Sequence, residues 1–161
     1  MTPIIIDVES SGTGPGSYPV EIGLAMPDGK THCFLIKPAS QWLHWDKRNE
    51  QVHHISQATL VAAGKDVGTV ALALNSILKG EVAFCEKWGM AITWMSLLYY
   101  TARVPQMFTI ESLHSLARQP KINTWNALRQ TITEEISPQR RRASTDALIL
   151  QKTYTRSQQA R

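Results

Sequence analysis

Asp7 and Glu9 are the residues of this sequence best placed to do chemistry. They stand one residue apart, with Val8 between them, at the end of the apolar run Ile4-Ile5-Ile6. Three β-branched residues in a row read as a short strand buried on both faces. A carboxylate at the end of such a strand is costly to bury unless it is paired or binds a cation. Two of them repel each other unless a divalent metal sits nearby. A strand tip carrying both suits an oxygen-loving ion such as Mg²⁺ or Mn²⁺. The residues that follow, Ser10, Ser11 and Gly12, also allow a plain turn, because Asp and Ser after a strand often only cap a loop. Spacing alone leaves both readings open.

Asp146 is a third acid of interest, in the first turn of a segment that reads as the last helix, 143–154. An Asp there is also common with no chemistry behind it, because it offsets the helix dipole. Trp42 and Trp45 stand three apart and could share a helical face. They serve equally as core plugs or as a stacking platform for a nucleobase, which aromatic rings supply without sequence preference. His53 and His54 are adjacent, so on a helix they point about 100° apart and make a poor pair of ligands for one ion. We read them as surface or loop residues.

The elements that must position these groups follow from periodicity. Residues 18–26 alternate, with Val20, Ile22, Leu24 and Met26 on one face and Glu21, Gly23 and Ala25 on the other, which is a strand. Pro27-Asp28-Gly29-Lys30 is a turn by composition, and 31–36 is a third strand that Pro38 stops. Residues 3–36 are therefore expected to form an antiparallel meander. Ser56 is placed to cap a helix running through Leu60. A helix is expected over 67–78, a short strand over 81–85 parallel to the first, and a helix over 90–102. A fifth strand at 108–110, a short helix over 111–118 and a weak helix over 124–136 precede the last helix.

Composition sets outer bounds. A chain of 161 residues with 43% hydrophobic and 19% charged residues suits one globular domain, 1–161. No run approaches the ~20 apolar residues of a membrane span, and no basic region precedes the first apolar stretch. Cys33 and Cys85 read as buried thiols rather than a disulfide. These features lead us to expect a cytoplasmic protein with no membrane partner. The formal charge of +4 is compatible with a polyanionic partner without establishing one. The late basic residues Arg140, Arg141, Arg142, Arg156 and Arg161 read as a solvated face.

Asp7-x-Glu9 after an apolar strand resembles the first motif of the DEDD 3'–5' exonucleases, the DnaQ-like proofreading nucleases. The likeness continues through Ser10-Ser11-Gly12, Tyr18-Pro19-Val20-Glu21-Ile22-Gly23, Ile36-Lys37-Pro38, the segment 42–46 and Val52-His53-His54-Ile55-Ser56. These segments resemble a small bacterial branch of exoribonuclease-like members. The resemblance covers about residues 3–60 well and is patchier beyond. It implies an α/β, RNase H-like fold: a five-stranded mixed sheet, its first three strands antiparallel, with helices on both faces. It implies metal-dependent removal of nucleotides from the 3' end of single-stranded DNA or RNA. Asp7, Glu9 and Asp146 would hold Mg²⁺ or Mn²⁺ in a two-metal site. Backbone at Ser10, Ser11 and Gly12 would approach the terminal nucleotide, and the loop carrying Trp42 and Trp45 would flank it. A homodimer stays open.

Two positions depart from the family pattern. Ala91 stands where a second metal-binding Asp is expected, and Arg141 stands where the general-base His is expected, five residues before Asp146. The alternative base, a Tyr, is absent too, since position 142 is Arg. Glu86 is a weak stand-in for the missing Asp. Three accounts of Ala91 stay open: an engineered Asp-to-Ala change that traps a substrate or metal, a natural pseudo-exonuclease that only binds nucleic acid, or a shifted register. Arg141 would be a natural variant, or a contact to phosphate.

Overall fold

A computed structural model describes residues 1–116, 122–136 and 142–159. Its sheet has five strands in the order β3-β2-β1-β4-β5. β1 (Ile4–Ser10), β2 (Pro19–Ala25) and β3 (Thr31–Leu35) form the expected antiparallel meander. β4 (Val82–Cys85) pairs with β1 in parallel, and β5 (Thr109–Ser112) pairs with β4 in parallel. The helices are α1 (Lys47–His53), α2 (Gln57–Ala63), α3 (Val67–Leu78), α4 (Trp88–Ala102), α5 (Ile122–Ile136) and α6 (Ala143–Gln159).

Strand alternation divides the interior into two layers. Ile4, Ile6 and Val8 of β1, with Val20, Ile22 and Leu24 of β2, pack in one cluster with Val70, Leu74 and Leu78 of α3 and Trp94, Met95 and Leu98 of α4. Ile5 and Ala25 face the other way, onto Trp125 of α5 and Ala147, Leu150 and Tyr154 of α6. Every residue of β2 is buried, because α6 covers the face that carries Glu21, Gly23 and Ala25. By the same alternation Asp7 and Glu9 lie on the α6 side of β1.

Local signals hold where the chain makes its own contacts. Ser56 caps α2 by accepting the Thr59 N–H at 3.1 Å. The expected short helix over 111–118 is corrected. Glu111 and Ser112 belong to β5, opposite Phe84 and Cys85, and among the described residues of this span only Leu113–Ser115 form a helical turn, of 3-10 type. Pairing with β4 satisfies the backbone there and outweighs local propensity. Residues from 117 to 121 lie outside the described residues. Among the described residues no helix is long and apolar enough to cross a membrane.

Candidate metal centre

Asp7 and Glu9 leave β1 on one face, and Asp146 comes down onto them from the first turn of α6. One carboxylate oxygen from each lies within 4.8 Å of the others. Three acids so close are mutually unfavourable without a cation. Burial, then Glu9 and Asp146, pushes the Asp7 carboxyl up to about 7, against the pull of Lys87 and Arg129. Carboxylate oxygens gathered at this spacing are the donor set that hard divalent cations take, so the residues present fit such an ion. They line a cavity of about 160 Å³.

The approach of α6 is set by two residues of β2. Gly23 pairs with Asp7 across the ladder, and a Cβ at 23 would collide with the backbone of Ala143 and Ser144. Only glycine lets the start of α6 settle onto the strand. Glu21, opposite Glu9 in the ladder and 1% exposed, accepts the Ala143 N–H at 2.7 Å through Oε1. Its Oε2 receives Arg142 Nε at 2.7 Å and Nη2 at 2.6 Å. The pair neutralises a glutamate that would otherwise repel Glu9 directly across the strands. It also gives the first turn of α6 its cap.

His53 is the second correction. It is buried rather than at the surface, and it lines the cavity from the end of α1. Its Nε2 lies 3.1 Å from the Ser10 carbonyl, and its Nδ1 accepts the Ile55 N–H at 3.1 Å. With Nδ1 accepting, Nε2 carries the proton and donates to Ser10, so the ring is neutral. Burial lowers its pKa further. His54 ends α1 in a left-handed conformation, φ 57°.

Ser10 ends β1, and Ser11 and Gly12 follow it directly. Ser10 and Ser11 are buried, and none of the three lines the cavity. The Ser11 hydroxyl accepts the Tyr18 N–H at 3.0 Å and lies 3.0 Å from His44 Nδ1, while the Ser11 carbonyl accepts the Asp46 N–H at 2.8 Å. The Ser10 hydroxyl donates to the Gly12 carbonyl at 2.7 Å, and Gly12 fits beneath the His44 ring. These residues tie the loop after β3 to the end of β1. Trp42 is 7% exposed and stacks on Tyr18, with ring centroids 5.2 Å apart, so it is a core plug. Trp45 is half-buried, donating from Nε1 to Glu50 at 2.7 Å and meeting His53 edge-on.

Ala91 is buried in the α4 layer and does not line the cavity. Glu86 does line it, but Arg129 clasps both of its oxygens at 3.0 and 2.9 Å. Arg141, with Arg140 and Arg161, lies outside the described residues. Arg156 pairs on the surface with Glu135 at 2.7 Å.

No protein-family model matches this chain, and no curated protein sequence does. Solved structures do. The chain superimposes over 98% of its length on product-bound exonuclease I, at TM-score 0.66 and 12% identity, spanning 44% of that chain. Apo exonuclease I gives TM-score 0.65 at 14% identity, over 98% of this chain and 42% of that one. A zinc-bound complex of E. coli ExoI with single-stranded DNA gives 0.64 at 14% identity, over 98% and 41%. The fold is RNase H-like. The chain spans less than half the length of these exonuclease I structures.

Sequence reasoning missed the supporting cast: Glu21, His53, Lys87, Arg129 and Arg142, all of which line the cavity. The alternation of β2 placed Glu21 and Gly23 on one face, and that was the available signal for a packed helix there. Arg129 and Lys87 carry no local mark of their role.

Proposed function

We propose that this chain is a metal-dependent nuclease that releases nucleotides from the 3' end of a nucleic-acid strand. The observation that carries the reading is the convergence of Asp7, Glu9 and Asp146, from two elements far apart in sequence, within 4.8 Å. The RNase H-like fold, and exonuclease I neighbours solved with single-stranded DNA, support the substrate class. Asp7, Glu9 and Asp146 would hold the ion, Mg²⁺ or Mn²⁺. When bound it supplies positive charge to the phosphodiester and acidifies a water. Glu21 and Arg142 fix the start of α6, so that Asp146 meets the strand acids. His53 fixes the end of β1 through the Ser10 carbonyl.

Among the described residues, the cavity lining offers one imidazole for proton abstraction, His53. Both ring nitrogens of His53 are engaged, so it does not accept a proton from water. Losing a general base costs roughly 10²–10⁴-fold, which leaves a slow enzyme rather than a dead one. The second reading, a nucleic-acid-binding pseudo-exonuclease, is favoured by Ala91 and by the engaged His53. One experiment separates the two. A 5'-labelled single strand, as DNA and as RNA, is incubated with Mn²⁺ and either the parent chain or Ala91→Asp. Ladder-like shortening supports the nuclease. Tight binding with no product from either chain supports the binding module. Calorimetry with Mn²⁺ that gives no heat overturns the metal reading itself.

A further inference from the structure

The cavity holds cations as well as acids, and their arrangement has a consequence for ion number. Five carboxylates line it: Asp7, Glu9, Glu21, Glu86 and Asp146. Glu21 is spent on Arg142 and the Ala143 N–H, and Glu86 on Arg129. Among the described residues only Asp7, Glu9 and Asp146 gather as a possible ligand set. The lining also carries three cations, Lys87, Arg129 and Arg142, while His53 is neutral.

Lys87 differs from the two arginines. It is exposed, forms no ion pair among the described residues, and stands immediately before α4 at the lip of the cavity. It lines the same cavity as Asp7. The Ala91 N–H bonds to the Lys87 carbonyl at 3.0 Å, so the two residues are one helical turn apart on one side of α4. A long cationic side chain therefore stands at the mouth, and one turn below it a methyl group is buried. We propose that this site takes one divalent ion, and that the Lys87 ammonium stands in for a second by meeting a phosphate of the bound strand. The inference rests on the nuclease or strand-binding reading of the same cavity. An ammonium is a compact point charge with three donors and needs no carboxylate cage to hold it there.

Mn²⁺ titration of the parent chain, followed by calorimetry and by the electron paramagnetic resonance of free Mn²⁺, should give one ion per chain. Lys87→Glu, which places a carboxylate at the lip, should raise this to two. Lys87→Gln should retain one ion and bind a fluorescent oligothymidylate roughly tenfold or more weakly in Mn²⁺, the usual scale for a lost hydrogen bond to a charged group. Two ions in the parent would overturn the inference and leave the metal-dependent reading intact. No ion at all would overturn both. Unchanged strand affinity in Lys87→Gln would overturn the role of Lys87. Should Lys87→Glu fail to fold, by circular dichroism, the parent stoichiometry and Lys87→Gln decide.

Discussion

Glu21 and Ala143 are joined by a 2.7 Å hydrogen bond that crosses 122 positions of sequence. With Arg142 on the other carboxylate oxygen, it pins the first turn of α6 to β2. Asp146 rides on that turn, three residues after the pinned amide. The geometry of the acidic cluster therefore depends on a residue outside it.

Removing that pin should hurt both stability and metal binding. Glu21→Ala leaves Arg142 without its partner and the Ala143 N–H without an acceptor. Arg142 is half-buried and keeps access to water, so the main cost is the buried Ala143 N–H left unsatisfied, about 1–3 kcal/mol. Urea unfolding should show a loss of that order, and Mn²⁺ affinity should fall in the fraction that stays folded. Full Mn²⁺ affinity in a destabilised variant would show that Asp146 is positioned by other contacts.

Gly23→Ala is a sharper probe of the same join. The added methyl meets the backbone of Ala143 and Ser144, not a flexible side chain, so α6 must move. Overpacking of this kind costs typically about 1–3 kcal/mol. The displaced helix should carry Asp146 away from Asp7. Mn²⁺ calorimetry should show the loss, and an affinity equal to the parent's would mean that the helix yields elsewhere.

Asp7 predicts an unusual pH dependence in the absence of metal. Its carboxyl is raised from 3.8 to about 7 by burial, Glu9 and Asp146. The folded chain therefore holds this proton where the unfolded chain has lost it. Stability conferred by the proton is full below the unfolded value and declines as pH rises through the folded one. The shift corresponds to at most about 4 kcal/mol. His53 opposes it: burial lowers its pKa, so its contribution is present above the unfolded value of 6.5 and declines as pH falls. Urea midpoints with chelator, at about pH 5 and about pH 8, should converge in Asp7→Asn relative to the parent. Saturating Mn²⁺ should reverse the Asp7 slope, because the ion binds only the ionised carboxylates. An unchanged profile in Asp7→Asn would remove Asp7 as its source.

Trp42→Ala should behave as a core deletion. The ring is buried against Tyr18, and truncations of this size cost about 3–5 kcal/mol. At a temperature where the variant stays folded, its affinity for a single strand should equal the parent's. A selective loss of strand binding would restore the ring as a stacking platform.

The sequence determined the first three strands, α3 and the partnership of two of the three acids. Ile4-Ile5-Ile6, the alternation of β2 and the helical spacing of α3 are written in residues near one another, so each strand or helix follows from local pattern. The placing of Asp7 and Glu9 on one face follows from a period of two. What only the tertiary structure decided was which groups those acids meet. That Glu21 anchors Arg142, that Arg129 occupies Glu86 and that His53 is buried under the end of β1 are facts about packing between distant segments. No local periodicity encodes them. Charge and burial at a site depend on everything that folds around it, and here that surrounding shell comes from β2, α1, α5 and the start of α6.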